Sequence, residues 1–104
     1  MEEKINIPDL KLSQLFRKGI FWDVDIDLLD VKRDAYFIIP RVLNRFMFHE
    51  VFLENLERIY PRDLICYYAL NSGEIRGNEK IEFLAKRYGL RQQDFLNYIP
   101  PEMM

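Results

Sequence analysis

The sequence has few of the residues from which metal and catalytic sites are commonly built. Its 104 residues include one cysteine, Cys66, and one histidine, His49. An internal disulfide therefore cannot form, and the usual zinc sites with Cys and His ligands cannot be assembled. The four glycines stand singly, so the chain has no glycine-rich phosphate loop. We expect no metal and no cofactor.

The chain also lacks a long apolar run and a strong charge of either sign. No stretch approaches the roughly 20 apolar residues needed to span a bilayer. The first residues, MEEKINIPDL, lack the basic and apolar regions of a secretory signal. The net charge is −2, so binding of nucleic acid would depend on local charge. These features predict a cytoplasmic protein without membrane contact, forming a single domain over residues 1–104.

Apolar residues recur at helical spacing along most of the chain, and the connections are short. The predicted helices cover residues 9–18, 31–46, 48–60, 61–71, 79–88 and 92–98. Pro40 is expected to kink or split the second of them. Gly73 and Gly89 are expected to end helices in the left-handed conformation, and Asn78 to cap one. The pattern predicts an all-α fold: a compact single-domain bundle of about five or six short helices, with a helix–turn–helix-like unit at its C-terminal end.

An acidic run, GIFWDVDIDLLD, covers residues 19–30. Its D-x-D-x-D spacing, which includes Asp23 and Asp25, invites comparison with a calcium loop. Such a loop needs Gly at position six and Glu at position twelve, where this chain has Leu28 and Asp34. No nucleophile or base stands beside these carboxylates in sequence, so they do not indicate acid–base catalysis. We expect neither a metal site nor an enzyme.

The same run has a structural interpretation. Its alternation of apolar and acidic residues predicts that Trp22 is buried as an anchor, while the acids are solvated or cap helices. Asp23 is expected either to cap a helix or to accept hydrogen bonds from Arg41. Asp27 or Asp30 is expected to cap the next helix.

Residues 81–98, IEFLAKRYGLRQQDFLNY, resemble a repressor-type helix–turn–helix. Ala85 allows two helices to approach closely, and Gly89 suits a left-handed turn four residues later. The side chains expected to contact DNA bases or phosphates are Lys86, Arg87, Arg91, Gln92, Gln93 and Asn97.

Three large apolar side chains fall outside the stripes that would face the core. They are Leu53, Phe83 and Tyr67. If all three are exposed, they form a patch that binds a protein partner or a second copy of the chain.

Residues 21–45, FWDVDIDLLDVKRDAYFIIPRVLNR, resemble a small, poorly characterised bacterial family. The resemblance lies in the opening FWDVD and in the later IIPRVL, which contains Arg41. After Arg45, where the family commonly turns with Gly, this chain has FMFHE. The resemblance implies an antitoxin-like or accessory protein that acts beside an abortive-infection-type nucleotidyltransferase toxin. Together with the C-terminal pattern, it leads us to expect a small protein that binds a protein partner and also DNA. The alternative is a non-catalytic interaction module, a homodimer or a complex subunit, that binds no nucleic acid.

Overall fold

A computed structural model of the chain describes residues 5–103, and this part contains helices but no strand. The α-helices are α1 (Leu12–Leu15), α2 (Ala35–Arg45), α3 (Glu50–Ile59), α4 (Arg62–Asn71) and α5 (Asn78–Tyr88). Short 3-10 turns cover Lys18–Phe21, Ile26–Leu28, Gln92–Asp94 and Pro101–Met103. The prediction of an all-α fold is confirmed. Within residues 5–103 no helix combines the length and the apolarity that crossing a membrane requires.

Helix α2 lies at the centre of the fold and packs against α3, α4 and the turn Lys18–Phe21. Ile38, Ile39, Val42 and Leu43 of this helix have no exposed surface. The helix is not split at Pro40, which is itself buried inside it. A single cluster of buried apolar side chains runs from Leu12 to Phe95 and joins all five α-helices.

Several predicted helix ends differ from those in the structure. The first predicted helix is reduced to the single turn α1, because Phe16 is extended and leads the chain into the core. Gly73 does not form a left-handed cap, since α4 ends in extended backbone at Ser72. Gly89 does adopt the left-handed conformation, with φ of 66°, and so ends α5 as predicted.

Asn78 is the first residue of α5 and not its cap, which is Gly77. The side chain of Asn78 serves the C-terminal segment instead. Its amide group donates to the Ile99 carbonyl oxygen at 2.6 Å, and its carbonyl oxygen accepts from the Ile99 N–H at 2.9 Å. These two bonds fasten the end of the chain to the start of α5.

The helix predicted over residues 92–98 is wrong. The chain forms one 3-10 turn, Gln92–Asp94, and continues in extended conformation at Phe95. Phe95 is buried, and the side-chain amide of Asn97 donates to the carbonyl oxygens of Gly73 and Ile75 at 2.7 and 2.8 Å. These long-range contacts favour a non-helical path, so α5 and its Gly89 turn lack the second helix of a helix–turn–helix unit.

Candidate functional site

Arg41 on α2 joins the acidic run to the loop after α4. Its guanidinium donates to the two carboxylate oxygens of Asp23 at 2.6 and 3.1 Å and to Glu74 at 2.6 Å. The guanidinium also lies 4.6 Å from the centre of the Phe37 ring. Of the two predicted roles of Asp23, the structure confirms that of acceptor for Arg41. The hydrogen bonds from Arg41 hold the pKa of Asp23 below its ordinary value. A shielded pair of this kind fixes the geometry of the segments it joins.

The other acids of the run bind the nearby backbone and do not converge. Asp25 accepts from the N–H of Asp27 at 3.2 Å. Asp27 accepts from the hydroxyl of Ser13 at 3.0 Å and from its N–H at 3.3 Å, so it serves α1 and not α2. Asp30 accepts from the N–H of Lys32 in the turn before α2, so neither predicted residue caps that helix. In the described part of the chain, no three His, Cys, Asp or Glu residues are placed to hold a metal ion.

Trp22 is not buried, and the prediction that it anchors the core is wrong. It is 67% exposed, whereas its neighbour Phe21 is 2% exposed. The acidic run forms two 3-10 turns and not an extended strand, so side chains do not alternate between core and solvent. Phe21 and Ile26 therefore point inward, while Val24 and Leu28 are exposed with Trp22.

The exposed Trp22 ring lies in a mixed apolar and charged environment. It lines a surface depression of about 500 Å³ together with Lys18 and Val24. The guanidinium of Arg45, at the end of α2, lies 5.9 Å from the centre of the Trp22 ring. We call Lys18, Trp22, Val24 and Arg45 the Trp22 surface.

Four of the six residues predicted to contact DNA share a second depression, also of about 500 Å³. They are Lys86, Arg91, Gln92 and Gln93, and Ala85 lies at its base, only 3% exposed. This grouping arises because the chain reverses at Gly89 and returns beside the end of α5.

Arg87 and Asn97, the other two predicted DNA contacts, are engaged inside the protein. Arg87 donates to both carboxylate oxygens of Glu57 at 2.7 and 3.0 Å and to Glu50 at 2.8 Å. The hydrogen bonds to Glu57 raise the pKa of Arg87, and all three bonds join α5 to α3. Asn97 holds the loop after α4, as described above. Neither side chain is free to reach a phosphate or a base without loss of these bonds.

The three predicted partner-binding residues do not form one exposed patch. Leu53 is fully buried, because α3 turns Leu53, Leu56 and Ile59 toward the core and leaves Val51 exposed. Tyr67 is 57% exposed, and its ring meets that of Tyr68. Phe83 is half-buried, with its ring 5.4 Å from Phe46 and 5.6 Å from Phe48.

The contacts of Phe83 lead to a feature that was not singled out from the sequence. Met47 and Phe48 connect α2 to α3 and have φ values of 53° and 59°, in the left-handed region. Their side chains remain exposed, at 59% and 46%. We call Met47, Phe48 and Phe83 the aromatic turn. The sequence does contain a signal for this turn, because FMFHE stands where the resembled family commonly turns with Gly.

Comparison with known proteins supplies a family but no activity. No curated protein and no solved structure matches the chain. Residues 16–67, half of the chain, match a family model described as a family of unknown function, DUF6922. This range includes Trp22, Arg41 and the turn at Met47 and Phe48, and it ends before α5. The chain belongs to this family of unknown function, DUF6922.

Proposed function

We propose that the chain is a non-catalytic module that binds a protein partner through the aromatic turn. The observation that carries this proposal is the backbone conformation of Met47 and Phe48. A left-handed conformation costs a residue with a side chain about 1–2 kcal/mol. Strain of this kind persists where other contacts hold it, and it concentrates at binding and catalytic sites. In this chain the strained residues are two large apolar side chains directed to solvent.

The aromatic turn has a rigid support. Phe48 lies 5.4 Å from the ring of Phe46, which has no exposed surface, and 5.6 Å from the ring of Phe83 on α5. A partner would therefore meet a preformed apolar surface and would not have to order a flexible loop. Exposed aromatic side chains held in this way commonly supply much of the binding energy of an interface.

The acidic run does not require a catalytic role. Asp23 is paired with Arg41, and Asp25, Asp27 and Asp30 each accept a backbone N–H. These bonds account for the local geometry of the acidic run without a substrate. The resemblance to proteins that act beside nucleotidyltransferase toxins supports an antitoxin-like or accessory role, with such a toxin as the protein partner.

Co-purification tests this proposal. The tagged chain is produced together with the protein encoded beside it, and the affinity of the purified pair is measured by calorimetry. We expect Phe48→Ser to weaken the complex by about thirtyfold or more, the effect of losing a hot spot. Tyr67→Ser, which removes an exposed aromatic ring from α4, serves as the matched control. Equal affinities of Phe48→Ser and the unchanged chain would reject the aromatic turn as the binding surface.

Self-association is the competing explanation for an exposed apolar turn, and sedimentation separates the two. We expect the isolated chain to be a monomer. A dimer that Phe48→Ser converts to monomer would show that the partner of the aromatic turn is a second copy of the chain.

DNA is a second candidate partner, favoured by the grouping of Lys86, Arg91, Gln92 and Gln93 in one depression. Gln side chains recognise adenine edges, and the two cations contact phosphates. With only these two cations, the logarithm of affinity should fall with the logarithm of salt with a slope of about −2. Retention of DNA from upstream of the gene at low salt tests this candidate. We expect Gln92→Ala with Gln93→Ala to abolish sequence preference, and absence of preference in the unchanged chain would exclude the role.

A further inference from the structure

The Trp22 surface combines an exposed aromatic ring with two exposed cations, Lys18 and Arg45. Trp22 is 67% exposed and lies beside Lys18 in the same depression, while Arg45 lies over its ring. In the part of the chain between residues 5 and 103, neither Lys18 nor Arg45 forms an ion pair. By contrast, Arg41 and Arg87 each bind two carboxylates. Within the described residues, Lys18 and Arg45 therefore do not stabilise the fold through ion pairs, as Arg41 and Arg87 do.

A third cation adds to the positive charge near Arg45. Lys80 on α5 donates to the side-chain oxygen of Asn44, which is next to Arg45 in α2, at 2.9 Å. Burial lowers the pKa of Lys80, and the nearby charge of Arg45 lowers it further. Both cations would gain from a negative charge brought against this side of the protein.

We propose that the Trp22 surface binds an acidic segment of a partner protein. An apolar side chain of that segment would pack on Trp22 and Val24, while its carboxylates would pair with Lys18 and Arg45. The proposal goes beyond the function proposed above, because it assigns a second surface with residues separate from the aromatic turn. Trp is enriched among residues that dominate binding energy, and complementary charge fixes the orientation of the segment and raises its rate of association.

The charge around the surface favours an acidic protein segment over a nucleic acid. The two negative charges of Asp23 and Glu74 pair with the single positive charge of Arg41. Asp25 adds a further negative charge to the depression that contains Lys18. The local excess of positive charge is therefore small. A nucleic acid places a phosphate at every nucleotide and needs a continuous cationic track, whereas a protein segment can present only the few carboxylates that match Lys18 and Arg45.

Trp22 is the only tryptophan of the chain, so its fluorescence reports directly on this surface. The probe is a short peptide of alternating Glu and Leu, which adds no fluorescence of its own. Matched probes are the same peptide with Gln for Glu and a single-stranded oligothymidylate. We expect the Glu peptide to shift Trp22 emission to shorter wavelength and to protect it from acrylamide, the Gln peptide to bind about tenfold more weakly, and the oligothymidylate to have no effect at the same concentration.

Substitutions test the role of each cation. We expect Arg45→Gln to weaken binding of the Glu peptide about threefold and the double variant with Lys18→Gln about tenfold, as for exposed ion pairs. Arg58→Gln removes an equal charge from α3 and should have no effect. Phe48→Ser should also leave peptide binding unchanged. A negative result for partner binding at the aromatic turn can therefore be distinguished from a negative result for peptide binding at the Trp22 surface.

Three results would overturn the proposal. Equal binding of the Glu and Gln peptides would show that charge does not select the ligand. Tighter binding of oligothymidylate would identify the surface as a nucleic-acid site. A concentration-dependent shift of Trp22 emission without any peptide, matched by dimers in sedimentation, would identify a second copy of the chain as the occupant.

Discussion

Replacing Met47 by glycine should leave the protein more stable than replacing it by alanine, which is the reverse of the order found in regular secondary structure. Met47 has φ of 53° and is 59% exposed. Relief of the left-handed strain is worth about 1–2 kcal/mol. Glycine loses more conformational entropy on folding, which offsets about 0.5–1 kcal/mol of this gain. Both Met47→Gly and Met47→Ala lose the partly covered methionine side chain, so the gain of glycine over alanine should be about 0.5–1 kcal/mol.

The matched control is Met47→Ala, which shortens the side chain but keeps the Cβ atom responsible for the strain. Urea unfolding of the two variants isolates the backbone contribution, because both lack the methionine side chain. We expect Met47→Gly to exceed Met47→Ala in unfolding free energy, with a melting temperature higher by about 2–5 °C for a chain of this size. If the alanine variant is as stable as the glycine variant, the strain does not exceed the conformational entropy that glycine loses, about 0.5–1 kcal/mol, and the main support for the proposed function is lost.

Two further predictions concern the hydrogen bonds of Tyr60 and of Glu57. Tyr60→Phe removes the hydroxyl that donates to the Val31 carbonyl oxygen at 2.7 Å, and we expect a loss of about 1–2 kcal/mol in urea unfolding, since that oxygen is left without its donor. Burial alone would raise the pKa of Glu57, but hydrogen bonds from Arg87 and Tyr88 outweigh it and hold the pKa below its ordinary value of 4.5. The ionised carboxylate therefore stabilises the fold above pH 4.5, and this contribution is lost as pH falls through the lower pKa of the folded state. Urea unfolding from pH 6 to pH 3 should show a shallower loss of stability in Glu57→Gln than in the unchanged chain, and parallel curves would contradict the assignment.

The sequence was sufficient for features that depend on local chemistry. Gly89 ends α5 in the left-handed conformation because no side chain opposes it, and this follows from its position after an amphipathic helix. The pairing of Asp23 with Arg41 was one of two predicted alternatives, since an arginine on a buried helix needs a carboxylate nearby. Gly89 directly follows a strongly periodic segment, and Arg41 lies within one.

The predictions from sequence were wrong where tertiary contacts determine which of several local conformations forms. On α3, both Val51 and Leu53 could have faced the core, and packing against α2 selected Leu53. The C-terminal helix was lost to hydrogen bonds between Asn97 and residues more than twenty positions earlier, which no local pattern reveals. The burial of Trp22 was predicted from the alternation of its neighbours, but the segment forms two 3-10 turns, in which that alternation does not decide which side chains are buried.

The C-terminal end of α2 supports both proposed surfaces. Arg45 extends from the last residue of the helix toward Trp22, Phe46 enters the core, and Met47 and Phe48 turn outward in the next two positions. The left-handed backbone permits this change from a buried to two exposed side chains, because in a continued α-helix each side chain would follow the last at the regular helical angle. Four consecutive residues can thus serve two surfaces only if the turn after α2 is held in one conformation. The strained backbone at Met47 and Phe48 and the contact of Phe48 with the buried Phe46 ring therefore depend on each other. A change that relaxes this backbone should displace Met47 and Phe48 more than Arg45, which still belongs to α2.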